Sequence, residues 1–186
     1  MPADPAPTAK PDAVAILVRD HKEVDQLFEQ FDRERETFEG GLLRRIIEAL
    51  SVHAAVEEQV VYPAMRKALP DGDARVQQAI ADHQKVKEAL AELEKMAPLD
   101  QGVLPAVERL ARDVRAHVEE EEGDLFPRLA EALDEPTLQD MGRAIEKARK
   151  GAPSQVAGAV DRVRGLLDEA ADKGRELFAS RGKKQP

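Results

Sequence analysis

Apolar residues recur along much of this chain at intervals of three, four and seven, the period of helices buried on one side. In the first run Val14, Leu17, Val24, Phe28 and Phe31 form a stripe, and His21 sits where the stripe needs its missing member. A helix beginning near Asp12 is therefore expected. After Gly40-Gly41 a second stripe runs through Leu43, Ile46 and Leu50 to His53. Pro63 falls inside that helix, where its missing N–H and its ring call for a kink or local relaxation, and Pro70-Asp71-Gly72 closes it. The third stripe is Val76, Ile80, His83, Val86, Leu90 and Leu93, ending before Pro98. The fourth passes through Val107, Leu110, Val114 and His117 to Leu125, and meets a second internal proline, Pro127.

Two more helical stretches follow. Thr137 is a candidate cap for one that buries Leu138, Met141 and Ile145. Ser154 is the candidate cap of another, whose Val156, Val160, Val163, Leu167, Ala170 and Leu177 approach a heptad. Its apolar face fits packing against the bundle, a homodimer seam or a partner-binding surface. The expected fold is all-α: an antiparallel up-down-up-down four-helix bundle with additional C-terminal helices. The expected organisation is a disordered leader over 1–11, with four prolines and no apolar period, the bundle over 12–135, a C-terminal helical extension over 136–180 and a flexible tail over 181–186.

Composition narrows the chemistry. Among 186 residues, 28 Lys and Arg face 37 Asp and Glu, a net charge of −9. No basic stripe offers the clustered charge that nucleic-acid capture needs. No apolar run approaches a membrane span, and the N-terminus lacks the pattern of a signal peptide, so a cytoplasmic protein without a membrane partner is expected. The absence of cysteine removes disulfides, thiolate catalysis, zinc ribbons and iron–sulfur clusters together.

The two halves of the bundle repeat each other with an offset of 62 to 64 residues. Asp20-His21-x-x-Val24 matches Asp82-His83-x-x-Val86, and His53-x3-Glu57-Glu58 with Tyr62-Pro63, Ala68 and Leu69 matches His117-x3-Glu121-Glu122 with Phe126-Pro127, Ala132 and Leu133. All four histidines of the chain belong to this repeat. A spacing of four residues turns a helix by about 40° and advances it about 6 Å, so His53 and Glu57 project together from one face, as do His117 and Glu121. Burying four imidazoles and two carboxylates in a small bundle carries a desolvation penalty that pairing or metal coordination must offset. The donor set, without thiolates, suits iron, manganese or zinc; it exceeds one tetrahedral zinc site and fits two ions bridged by Glu57 and Glu121. It is richer in nitrogen than the Glu-x-x-His sites of ferritin-type bundles, which favours redox-active iron in bridged form.

These segments, in this order, resemble the hemerythrin-like family with the His-His-Glu cation-binding domain. The resemblance covers roughly residues 12 to 135 and implies an antiparallel four-helix bundle holding two non-haem iron ions, bridged by an oxo or hydroxo group. It implies His21, His53, His83 and His117 as terminal ligands and Glu57 and Glu121 as bridges. The oxygen-carrying members place a further histidine four residues after the one on the third helix, where this chain has Lys87. Their last carboxylate is an Asp five residues after the final histidine, where Glu121 here follows His117 by four. With one nitrogen ligand fewer, both irons would keep an open position, unlike an oxygen carrier.

Two further residues are candidates for the chemistry. Tyr62 lies nine residues after His53, about 180° round an unbroken helix. That makes it a half-buried packing residue unless the Pro63 kink swings its phenol inward, where a phenolate could ligate iron. Lys87 is a solvated flanking lysine, a nearby proton donor or a blocking cation. The expected function is reaction with small oxygen species, foremost catalase-like decomposition of hydrogen peroxide, with a ferroxidase-like reaction at the same centre. The alternative is a sensor of iron, oxygen or nitric oxide that acts without turnover.

Overall fold

The computed structural model describes residues 11–35, 40–97 and 100–151. Residues 1–10 of the expected leader, the helix expected after Ser154 with its heptad face, and the tail lie outside the described residues. Among the described residues every element is helical: α1 (Ala13–Arg33), α2 (Gly40–Val56), α3 (Tyr62–Ala68), α4 (Gly72–Leu93), α5 (Val103–Glu120), α6 (Phe126–Ala132) and α7 (Glu135–Gly151). Two π-helical turns, π1 (Glu57–Val61) and π2 (Glu121–Leu125), join α2 to α3 and α5 to α6 without a break. None of these helices is long and apolar enough to cross a membrane.

Local sequence explains the ends. The Asp12 carboxylate accepts from the Ala15 N–H at 2.8 Å, satisfying an otherwise orphaned donor at the start of α1. At α7 the cap is Asp134, not Thr137, since its Oδ1 accepts from the Thr137 N–H at 3.0 Å. Gly72, at the turn into α4, is required by a close approach: a Cβ there would lie 2.3 Å from the Met65 carbonyl oxygen.

The buried side chains form two apolar clusters, and their order along each helix establishes the topology. α1 runs from Ala13, Ile16 and Leu17 in one cluster to Phe28 and Phe31 in the other. α2 and α3 return from Leu42 to Met65; α4 climbs again from Val76 to Leu93, and α5 descends from Val103 towards Leu125. This is the antiparallel up-down-up-down bundle. Each histidine stands at the boundary between the clusters, so the polar residues occupy the middle of the bundle. α7 lies against α1, α2 and π1, burying Leu138, Met141 and Ile145 as the periodicity predicts.

The π turns follow from the prolines. Pro63 and Pro127 have no N–H to donate, and the residue before each instead bonds five back, Tyr62 to the Glu57 carbonyl and Phe126 to the Glu121 carbonyl. Each π turn accommodates one extra residue, a lag of roughly 100° relative to an unbroken helix. Tyr62 and Phe126 are thereby turned into the bundle, each 1% exposed.

Gly72→Ala is expected to destabilise the fold by about 1–3 kcal/mol, because the methyl group meets backbone that cannot yield cheaply. Gly123→Ala, with nothing within 4 Å of its Cβ, should leave stability unchanged or raised by up to about 1 kcal/mol. Thermal melting of the two variants checks the contrast.

Candidate metal centre

The site is assembled from four helices and both π turns. His21 comes from α1, His53 from α2, His83 from α4 and His117 from α5, while Glu57 and Glu121 open π1 and π2. All six residues predicted as ligands are buried, the two carboxylates completely. The Nε2 atoms of His21 and His53 lie 3.1 Å apart, and those of His83 and His117 also 3.1 Å apart. The carboxylates lie between these pairs. Glu57 Oε2 is 3.1 Å from His53 Nε2 and 3.3 Å from His83 Nε2; Glu121 reaches His117 Nε2 at 3.4 Å through Oε1 and His21 Nε2 at 3.5 Å through Oε2.

Two groups of converging donor atoms result: His21, His53, Glu57 and Glu121 in one, and Glu57, His83 and His117 in the other. Glu57 belongs to both. Both Glu57 oxygens and Glu121 Oε2 are buried without an aligned hydrogen-bond partner, and an orphaned carboxylate at zero exposure is costly. Close nitrogen and oxygen donors, without thiolates, fit cations better than they fit one another.

Two of the four imidazoles, His21 and His83, are held from their outer side as metal ligands commonly are. His21 Nδ1 lies 2.8 Å from Glu122 Oε1, and His83 Nδ1 lies 2.9 Å from Glu58 Oε1. A proton on each Nδ1 leaves Nε2 to face the centre. Glu58 also accepts from Lys87 Nζ at 2.6 Å, and the lysine side chain is only 11% exposed. Lys87 is thus not the solvated lysine of the simplest sequence expectation. His53 Nδ1 lacks a hydrogen bond; Asp20 Oδ2 stands 3.7 Å away and is instead paired with Arg149 of α7.

The phenol of Tyr62 enters the cluster. Its Oη is 3.0 Å from His83 Nε2 and donates to Glu121 Oε1 at 3.1 Å. Its counterpart Phe126 stacks on His21, ring centroids 5.7 Å apart and planes 10° from parallel, so at this position the two halves differ by one hydroxyl.

Protonation balances the charge when no cation is present. Burial pushes His83 down, but hydrogen bonding to Glu57 and Glu58 outweighs it and raises the imidazole to about 9. His53 is likewise raised: burial lowers it, and the adjacent Glu57 outweighs burial. His117 is lowered, chiefly by burial and in part by the charge on His83. Burial would raise Glu57, yet the neighbouring His53 and His83 hold it well below the usual carboxylate range. Burial and the charges of Glu57 and Glu121 push Tyr62 well above an ordinary phenol, so it keeps its proton.

The hemerythrin HHE cation binding domain profile matches residues 12–129. The chain belongs to that family. An uncharacterized hemerythrin-like protein of Schizosaccharomyces pombe is 29% identical over 136 residues, covering 69% of this chain and 67% of the yeast protein. A protein of Nostoc sp. named DNA nickase is 24% identical over 144 residues; the match covers 77% of this chain and 40% of that protein's length. The crystal structure of a hemerythrin HHE cation binding domain-containing protein from Mycobacterium kansasii superposes with a TM-score of 0.68 at 21% identity, covering 82% of this chain and 99% of that one, which establishes the shared fold.

Sequence reasoning placed all six ligand candidates where the structure brings them together. Glu58 and Glu122 were visible as members of the repeat, but not their hold on His83 and His21. Arg149 gave no signal, since its partner Asp20 is remote in sequence and no periodicity links them.

The charge balance has a consequence for the metal-free protein. A histidine whose folded pKa is raised from 6.5 to about 9 contributes stability that is complete below 6.5 and lost as pH rises through about 9. The melting temperature of metal-free protein should fall across that window, and His83→Gln should flatten the slope. A melting temperature that rises over the same window contradicts a charged His83.

Proposed function

We propose that this chain holds two iron ions between its histidine pairs and decomposes hydrogen peroxide. The observation that carries the reading is Glu57, which belongs to both donor groups and so suits a carboxylate shared by two cations. His21 and His53 would hold one ion, His83 and His117 the other, with Glu57 and Glu121 between them. When bound, such a pair supplies Lewis acidity, an electron store and a template for two oxygen atoms. In the overall reaction one peroxide is reduced to two waters while a second is oxidised to dioxygen, so electrons and protons balance without an outside reductant.

The chain's own residues have separate tasks. Glu58 and Glu122 fix the outer nitrogens of His83 and His21, keeping their inner nitrogens aimed at the centre. Lys87 holds Glu58 in place and acts as a positioning residue. Tyr62 keeps a proton at Oη beside His83 and Glu121, where it can donate it at the centre. Apolar side chains above the imidazoles exclude bulk water.

The pairing of Arg149 with Asp20, next to His53, favours a second reading in which α7 reports the state of the centre as a sensor. Peroxide consumption that stops at one equivalent per site selects the sensor; continued turnover that requires iron selects the enzyme. The Nostoc relative's name concerns DNA, but 37 acidic against 28 basic residues oppose the clustered positive charge that duplex binding needs.

Iron analysis should give about two ions per chain, and chelation under reducing conditions should lower the melting temperature. Glu57→Ala should lose more iron than His83→Ala, because its carboxylate serves both groups; equal loss contradicts sharing. Tyr62→Phe should cost about 1 kcal/mol of stability for the lost hydrogen bonds, retain iron, and slow peroxide turnover. Normal turnover in that variant removes Tyr62 from the chemistry.

A further inference from the structure

The imidazoles differ in what stands behind them. Glu122 holds the outer nitrogen of His21 and Glu58 that of His83, at 2.8 and 2.9 Å. His53 Nδ1 is buried and makes no hydrogen bond, although an imidazole that ligates through Nε2 carries its proton on Nδ1 and needs an acceptor for it. The carboxylate beside it is Asp20, whose Oδ2 stands 3.7 Å from Nδ1. A closing movement of under about 1 Å brings the two within hydrogen-bonding range.

Asp20 is held in that place from α7, a helix outside the two repeated halves. Its side chain is 10% exposed and is paired with Arg149. Leu138, Met141 and Ile145 seat α7 on the bundle, and Gly142 lies so near the start of α1 that a Cβ there would meet the Pro11 carbonyl oxygen at 2.7 Å. Arg149 follows Ile145 by about one helical turn and so points to the same side, into a cleft of about 320 Å³ that Asp20 and His53 also line. Arg19 approaches Asp20 too, at 3.8 Å, but its side chain is 56% exposed and stands nearer Glu146, at 3.6 Å, a surface contact worth little. Asp82, the counterpart of Asp20 in the repeat, is held differently. Lys85 and Gln78 of its own helix donate to it at 2.7 and 3.0 Å, and its side chain is 21% exposed. The buried aspartate is thus held from another helix, the more exposed one from its own.

We infer that Arg149, acting through Asp20, is a positioning residue for His53, so that α7 completes the histidine pair of α1 and α2. The inference rests on the metal reading of the site. Arg149 fixes the Asp20 carboxylate beside Nδ1, and a carboxylate oxygen has lone pairs for both donors. Asp20 then accepts the Nδ1 proton when His53 ligates, and Nε2 stays aimed at the cation shared with His21. This is the arrangement of cation, carboxylate and imidazole that Lys87, Glu58 and His83 form behind the other pair, with the cation supplied by α7 instead of a helix of the repeat.

Titration of the full-length chain with cobalt(II), whose visible bands count the bound ions, tests this without any assay of turnover. Arg149→Gln should weaken one of two bound ions about tenfold or more, the usual effect of losing such an outer partner, and leave the other within about twofold. Arg149→Lys, which keeps the charge, should recover most of the loss. Asp20→Asn should reproduce it, and the double variant should lose no more than either single one, because the two residues act in series. Leu138→Ala removes a buried side chain about three turns away on α7; it should lower the melting temperature yet bind both ions as the unaltered chain does when both are folded. In the metal-free protein, Arg149→Gln and Asp20→Asn should each move the ring-nitrogen NMR resonances of His53 more than those of His117. Unchanged cobalt affinity in Arg149→Gln, additive losses in the double variant, or the same loss in Leu138→Ala overturns the inference. A chain that binds no cobalt and no iron defeats the metal reading, while an unmoved His53 resonance defeats the action of Arg149 on it.

Discussion

Two fully buried carboxylates set between two pairs of imidazoles are the constraint around which the rest of this bundle is arranged. Glu57 and Glu121 are both at zero exposure, and their oxygens are largely without aligned donors. In the metal-free state the raised pKa values of His53 and His83 supply the compensating positive charge. Cations would do so with more oxygen and nitrogen contacts per charge, which is why the reading favours a metal centre over a polar core. The apolar clusters above and below the site make the demand stringent, since they exclude the solvent that would otherwise screen these charges.

Internal repetition supplies the pair of half-sites, and the departures from it supply the function proposed for them. Tyr62 adds a phenol where Phe126 offers only a ring. Lys87 secures Glu58, whereas its counterpart in the repeat, Asp25, pairs with Arg115. Arg149 of α7 takes up Asp20 beside His53. Each difference falls on a group adjoining the imidazoles rather than on the imidazoles themselves. Such changes can alter access and proton supply while leaving the donor set intact.

Much of this was legible in the sequence. A helical period of 3.6 fixes which side chains face inward, and the 62 to 64 residue offset relates the two halves, so the four stripes and the six inward-facing donors could be read directly. Tyr62 was harder, because its inward turn depends on one extra residue in the π turn. Pro63 signalled a disturbance there without stating its direction. Lys87 was expected in solvent because its partner Glu58 lies on a different helix. The α7 cap moved from Thr137 to Asp134 because both can cap a helix and sit within one turn of each other. At the start of α1 the structure buries Ala13 and Ile16, whereas Val14 of the expected stripe is half-buried.

The most direct test of a shared-carboxylate centre is anomalous diffraction at the iron edge from crystals of the iron-loaded protein. Two peaks about 3.5–4 Å apart are expected, one beside His21 and His53 and the other beside His83 and His117, with Glu57 between them. A single peak, or two peaks with Glu57 directed at only one of them, contradicts it.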